Sequence, residues 1–216
     1  MVKEFVLYED NHLIAVNKPA GMLTQPAEGI NDSLENTVKE YLKNKYSKPG
    51  NVFLGVVHRL DRPVSGIVIF AKTSKALSRV NAMIRDREMR KTYCALVEGH
   101  LKEDSGILEH FLRHGDHIAH VCRPHDPGAK IARLHYKTLE KNETTTLLEI
   151  DLETGRYHQI RAQCAAVGCP IVGDAKYGSR TPFADGAIAL HHSCLKLHHP
   201  VTKTLLHIEC RYIHSG

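Results

Sequence analysis

Val52-Phe53-Leu54-Gly55-Val56-Val57 and Ile67-Val68-Ile69-Phe70-Ala71 are two short apolar runs, and His58-Arg59-Leu60-Asp61-Arg62-Pro63-Val64-Ser65-Gly66 lies between them. Runs of this length and β-branched content read as strands buried on both faces. The segment they enclose sets one carboxylate, Asp61, among His58, Arg59 and Arg62. A charged loop tied at both ends to core strands is a rigid platform for a reactive side chain. Nearby cations favour the ionised carboxylate, and such a group serves as a nucleophile or a general base. Taken alone, Leu60-Asp61-Arg62 reads far more readily as a surface ion pair than as a catalytic group.

Working outward, residues 5–8 and 12–17 read as a hairpin around Glu9-Asp10-Asn11, and Lys18-Pro19-Ala20-Gly21 breaks into loop. A helix follows: Asp32 and Glu35 have capping-box spacing, and Leu34, Val38, Tyr41 and Leu42 form one apolar stripe. A second helix has Ser74 as its expected N-cap and Leu77, Val80, Met83 and Ile84 as its stripe. Strands are predicted over 93–98, 134–140, 144–152, 188–197 and 205–212, with a hairpin bearing long loops between 100 and 130. A third helix is predicted over 158–167, stopped by Gly168 and Pro170. No Pro/Gly/Ser-rich linker interrupts the chain. The expectation is one α+β domain over 1–216, with a mixed, mostly antiparallel central sheet flanked by helices and loops.

Composition narrows the class of function. The chain has 216 residues, 42% of them hydrophobic and 25% charged, as in an ordinary globular protein. The net charge of +5 is compatible with an anionic partner without requiring one. No segment reads as a signal peptide or a membrane span. The six cysteines contain no CxxC pair and read as free thiols of a reducing compartment, so a cytoplasmic location is expected.

A second charged segment lies about a hundred residues on. It is Gly155-Arg156-Tyr157-His158-Gln159-Ile160-Arg161, followed by Gly168-Cys169-Pro170-Ile171-Val172-Gly173-Asp174. With the first segment it resembles the signature of the RNA pseudouridine synthases of the RluA family. His58–Gly66 resembles the family's HRLDxxTSG motif. Lys91-Thr92-Tyr93-Cys94-Ala95-Leu96-Val97-Glu98-Gly99 resembles KxYxALVxG, and Asn17-Lys18-Pro19-Ala20-Gly21 matches the opening NKPAG. The block 168–178, Leu190-His191 and His199-Pro200-Val201-Thr202 match later family blocks. Six ordered blocks across nearly the whole chain are far more specific than one tetrapeptide.

The resemblance implies a cofactor-free isomerase that converts uridine to pseudouridine in ribosomal or transfer RNA. It implies that Asp61 is catalytic, that Tyr93 lines the site against a flipped base, and that Arg161 pairs with Asp61. Without the family, Tyr93 reads as a half-buried strand aromatic and Arg161 as a solvated helix charge. RNA contacts are expected from Lys18, His58, Arg59, Arg62, Arg156, His158 and Lys176. His58 and His158 read equally as hydrogen-bonded scaffold. By family analogy the protein is expected to be a monomer with no membrane association. No RNA-binding domain of the S4 type is expected before the catalytic block, and recognition is then expected from the catalytic domain itself.

Two positions depart from the pattern. Val64 stands where the family has Thr, losing a hydroxyl, and Tyr157 replaces Thr or Ser, removing a side-chain cap that Thr154 could supply. Two rival readings remain. One is a catalytically idle RNA-binding relative. The other is a metal-dependent hydrolase built on His191, His192, Cys194, His198 and His199. These residues lack regular zinc-ligand spacing, and strand alternation splits them between two faces, so no metal is expected.

Overall fold

The computed structural model describes residues 5–212. The fold is α+β, with eleven strands and three α-helices among the described residues. The chain packs as two compact units: residues up to Met89 together with those from His192 onward, and Arg90–His191.

In the first unit β1 (Val6–Glu9), β2 (Leu13–Lys18), β4 (Ser65–Ala71) and β10 (Leu190–His198) lie side by side in that order. The short β3 (Gly55–Val56) pairs with β4, and β11 (Leu205–Glu209) pairs with β10. Asp10 closes the β1–β2 turn, its Oδ1 accepting from the backbone N–H of His12 and Leu13 at 2.7 Å each. Residues 67–71 are wholly buried, as their apolar run predicted. Around them Leu13, Ala15, Val80, Leu195 and Leu197 form the core. The preceding run behaves differently from expectation. Only Gly55 and Val56 pair, while Asn51 and Phe53 are exposed, so the segment 52–57 is mostly irregular.

Helix α1 (Leu34–Lys45) is capped by Ser33, not Asp32, through a 3.3 Å bond from Asn36 N. Helix α2 (Ser74–Arg85) is capped by Thr73, not Ser74, through a 3.1 Å bond from Ala76 N. Each pair of neighbours can both cap. The buried hydroxyl of Ser33 reaches the third helical N–H, whereas Asp32 faces solvent.

The second unit orders its strands β5-β9-β8-β6-β7, where β5 is Arg90–Glu98, β6 Ser105–His114, β7 Ala119–Cys122, β8 Lys130–Lys141 and β9 Thr145–Leu152. All of these neighbours are antiparallel. On β9, Thr146, Leu148 and Ile150 are buried while Glu149 and Asp151 face solvent, the alternation of a sheet covered on one side. The expected hairpin between 100 and 130 is present as β6 and β7. Helix α3 (Gln159–Ala166) is buried along its first six residues.

Candidate active site

In the first unit the charged loop is held by the loop that follows β2. Register pairs Lys18 with Gly66, so the end of one motif meets the end of the other. Thr24 Oγ1 donates to Leu60 O at 3.0 Å and accepts from Leu60 N at 3.2 Å. Gly21 N donates to Arg62 O at 2.8 Å, and Arg62 Nε donates to Gly21 O at 2.9 Å. Val64 N closes a turn onto Asp61 O at 3.0 Å. Asp61 is thereby fixed in place yet remains partly exposed, while Arg59 and Arg62 face solvent.

Lys18 is the unexpected member. The sequence placed it among the RNA contacts, but its side chain is 0% exposed. Its Nζ donates to the carbonyls of Pro19 (2.9 Å), Met22 (2.8 Å) and Arg62 (3.2 Å). Three acceptors at loop turns satisfy the ammonium inside the protein, where phosphate does not reach. Burial pulls its pKa down to about 8, and the Asp61 carboxylate opposes that fall.

His58 is also a scaffold group: its Nε2 accepts from Ile69 N at 3.3 Å, and its ring meets that of His192 edge-on, 5.6 Å between centroids. His192 Nδ1 donates to Ile67 O at 2.6 Å. Gly66 takes a φ of +113°, and a Cβ there would lie 2.4 Å from His192 O and 2.5 Å from His192 N. Only glycine fits between these backbones.

In the second unit Arg161 is 5% exposed and forms a bidentate pair with Asp174, itself 1% exposed. Nε reaches Oδ2 at 2.7 Å and Nη2 reaches Oδ1 at 2.8 Å. Nη1 donates to His158 Nε2 at 3.0 Å. That bond puts the imidazole proton on Nδ1, which donates to Tyr177 Oη at 2.9 Å. Burial, with the neighbouring charge of Arg161 next, pulls the His158 pKa down to about 3, so the ring is neutral. His158 has a left-handed backbone (φ 49°) at the start of α3 and makes no side-chain cap. Thr154 does not supply one either, because its hydroxyl bonds Gln159 Oε1 at 2.8 Å. Tyr157 stacks on His158 at 3.9 Å, with its own ring partly exposed.

The other expected residues fall as follows. Tyr93 is 6% exposed on the inward face of β5, opposite Ile150. Arg156 is half-buried, its Nε donating to Ile131 O at 2.9 Å. Lys176 is exposed on the 3-10 turn Ala175–Tyr177 and donates to His117 O at 3.1 Å. The structure thus gathers Lys18, His58, Arg59, Asp61 and Arg62 in one unit, and His158 and Arg161 in the other. Sequence reasoning alone assigns Asp174 no role. The GCPIVGDAKYG block was its signal, but a pairing across 13 residues appears only on folding.

The one group of three metal-ligating side chains among the described residues is Cys194, His207 and Glu209, partly to fully exposed on β10 and β11. Its His207 and Glu209 pair with each other at 3.0 Å. His192 and His199, weighed above as ligands, are held instead by Ile67 O and by Asp10, 2.6 and 2.7 Å away.

A family model described as RNA pseudouridylate synthase matches residues 12–166. The chain is 34% identical over 211 residues to an uncharacterized RNA pseudouridine synthase, YhcT, of Bacillus subtilis, covering 96% of this chain and 68% of that protein. It is 36% identical over 210 residues to ribosomal large subunit pseudouridine synthase D of Nitrosomonas europaea, covering 93% of this chain and 60% of that protein. Among solved structures, human RNA pseudouridylate synthase domain containing 4 superposes with a TM-score of 0.82 at 21% identity, over 99% of this chain and 90% of that one.

Proposed function

The chain belongs to the RNA pseudouridylate synthase family, and we propose that it isomerises specific uridines of ribosomal or transfer RNA to pseudouridine. The observation that carries this reading is Asp61: a partly exposed carboxylate on a loop fixed by reciprocal hydrogen bonds, with a wholly buried ammonium from Lys18 interacting with it. Preorganised charge of this kind favours reaction over solvation.

In the proposed reaction the N1–C1′ bond of uridine breaks, the base turns, and a C5–C1′ bond forms. The proton on C5 leaves and N1 gains one, so the net change is an isomerisation without oxidant or water. Asp61 performs the essential step on a nucleotide flipped out of its stack. Tyr93 offers the flipped base an aromatic face, a contact worth about 1 to 3 kcal/mol. Arg161 is assigned to the catalytic set, its guanidinium oriented by charge-assisted bonds to Asp174 and by the bond to His158.

Phosphate contacts are assigned to the exposed Arg59, Arg62 and Lys176, with Arg156 beside them. The buried Lys18 and His158 are assigned to holding their loops, and His58 with them. No cofactor enters the scheme. The whole chain acts as one catalytic domain, as a monomer in the cytoplasm, where ribosomal and transfer RNA are found. No described helix is long and apolar enough to cross a membrane.

Release of tritium from RNA labelled at uridine C5 tests the reaction. The purified chain is expected to release it from ribosomal or transfer RNA of a strain lacking the gene. No release from any cellular RNA would leave only an idle RNA-binding role.

A further inference from the structure

Lys91 stands on the inward face of β5 two residues before Tyr93, so strand alternation gives the two side chains the same face. Its row across the sheet is apolar: register places Leu152 of β9 opposite it, and Leu134 of β8, wholly buried, beyond that. The carboxylates of β9 are on the other face. Asp151 is opposite Thr92 and accepts its hydroxyl at 2.6 Å, and Glu149 is opposite Cys94. The Lys91 ammonium lies against Gly155, where an added Cβ would sit 3.4 Å from Nζ. Among the described residues no hydrogen bond or ion pair reaches Lys91, and burial alone pulls its pKa down. The contrast with Lys18 is direct, since that buried ammonium has three carbonyl partners. A half-sequestered ammonium without an acceptor destabilises a protein unless an anion completes it.

We propose that Lys91 is a phosphate-binding residue, whose ammonium takes a phosphodiester oxygen of the RNA strand carrying the nucleotide that stacks on Tyr93. This rests on the RNA reading above. The place fits that ligand. Lys91 and Tyr93 share a face, and Gly155 opens the Gly155–Arg161 segment with no side chain to block approach to Nζ. Arg156 follows at once as a second cation. A stacking ring with a point charge two residues away is a workable grip on one nucleotide, base and backbone together.

The test is the salt dependence of binding to an unmodified large-subunit ribosomal RNA transcript by the full chain, with K91M and K91R compared. One lost phosphate contact lowers the slope of log affinity against log salt by about 0.7 to 0.9. K91M is expected to lose that much slope and about tenfold in affinity. K91R is expected to keep the slope. Because K91M removes an unpaired charge, its melting temperature without RNA is expected to match or exceed that of the wild type. Wild-type affinity and slope in K91M would overturn the proposal. A K91M chain that unfolds or melts lower would overturn it too, since that is the mark of a purely structural lysine. If the wild-type chain itself shows no salt-dependent RNA binding, the RNA reading falls along with this inference. Loss confined to K91M leaves that reading standing.

Discussion

Replacing Asp174 by asparagine keeps the shape of the side chain and removes its charge. Its partner Arg161 is 5% exposed and Asp174 1% exposed, so solvent does little to screen the loss. Of the two bonds, at 2.7 and 2.8 Å, one keeps a carbonyl acceptor without its negative charge and the other is mismatched, because the amide nitrogen cannot accept from a guanidinium. Breaking a buried ion pair by removing one partner destabilises by about 3 to 5 kcal/mol. For a chain of this length, about 2 to 4 °C accompanies each kcal/mol, so melting should fall on the order of 10 °C. The assays are thermal unfolding followed by circular dichroism and tritium release at a temperature where both proteins are folded. Pseudouridine formation is expected to drop as well, since Arg161 loses the anchor that orients it and turns from His158. A D174N chain that melts within about 2 °C of the wild type would refute the reasoning, because the pair would then contribute almost nothing.

Other expectations follow from the same geometry. Lys18 titrates near 8 when folded and near 10.5 when free, so the unfolded chain binds the extra proton between those values and stability rises with pH across that window. Relative to K18M, the wild type should gain on the order of 3 kcal/mol between pH 8 and 10.5 in urea titrations, and a constant difference would contradict this. His158, with its pKa near 3, should remain neutral with its proton on Nδ1 from pH 8 to pH 4.5 by nitrogen-detected NMR. A midpoint near 6.5 would contradict that assignment. Because the unfolded imidazole titrates near 6.5, the stability this residue contributes is lost as pH falls from there towards 3. Gly66→Ala puts a methyl group 2.4 Å from a backbone oxygen, and soluble expression should fail or melting drop by more than about 6 °C.

The sequence made some features legible because they are local. The run 67–71 is apolar and β-branched on both faces, and it is the buried strand it promised to be. The Asp10 turn and the stripe of α2 are local in the same sense. The caps were misplaced by one residue because Asp32 and Ser33, or Thr73 and Ser74, are chemically equivalent until the backbone chooses. The run 52–57 has strand composition, yet only two residues find a partner on β4. Burial of Lys18 was not legible, since it depends on three carbonyls that only loop geometry brings together. Asp174 likewise needed the fold to bring it to Arg161. The family resemblance pointed to Asp61, Tyr93 and Arg161. It was silent on what holds Arg161 from behind, and that support is what the structure adds.

The most direct measurement is single-turnover tritium release by an Asp61→Asn chain, on the RNA that the wild type modifies. The account predicts a folded protein that binds this RNA with wild-type affinity and releases no tritium above background. Release at the wild-type rate would mean that the carboxylate at position 61 does not perform the chemistry.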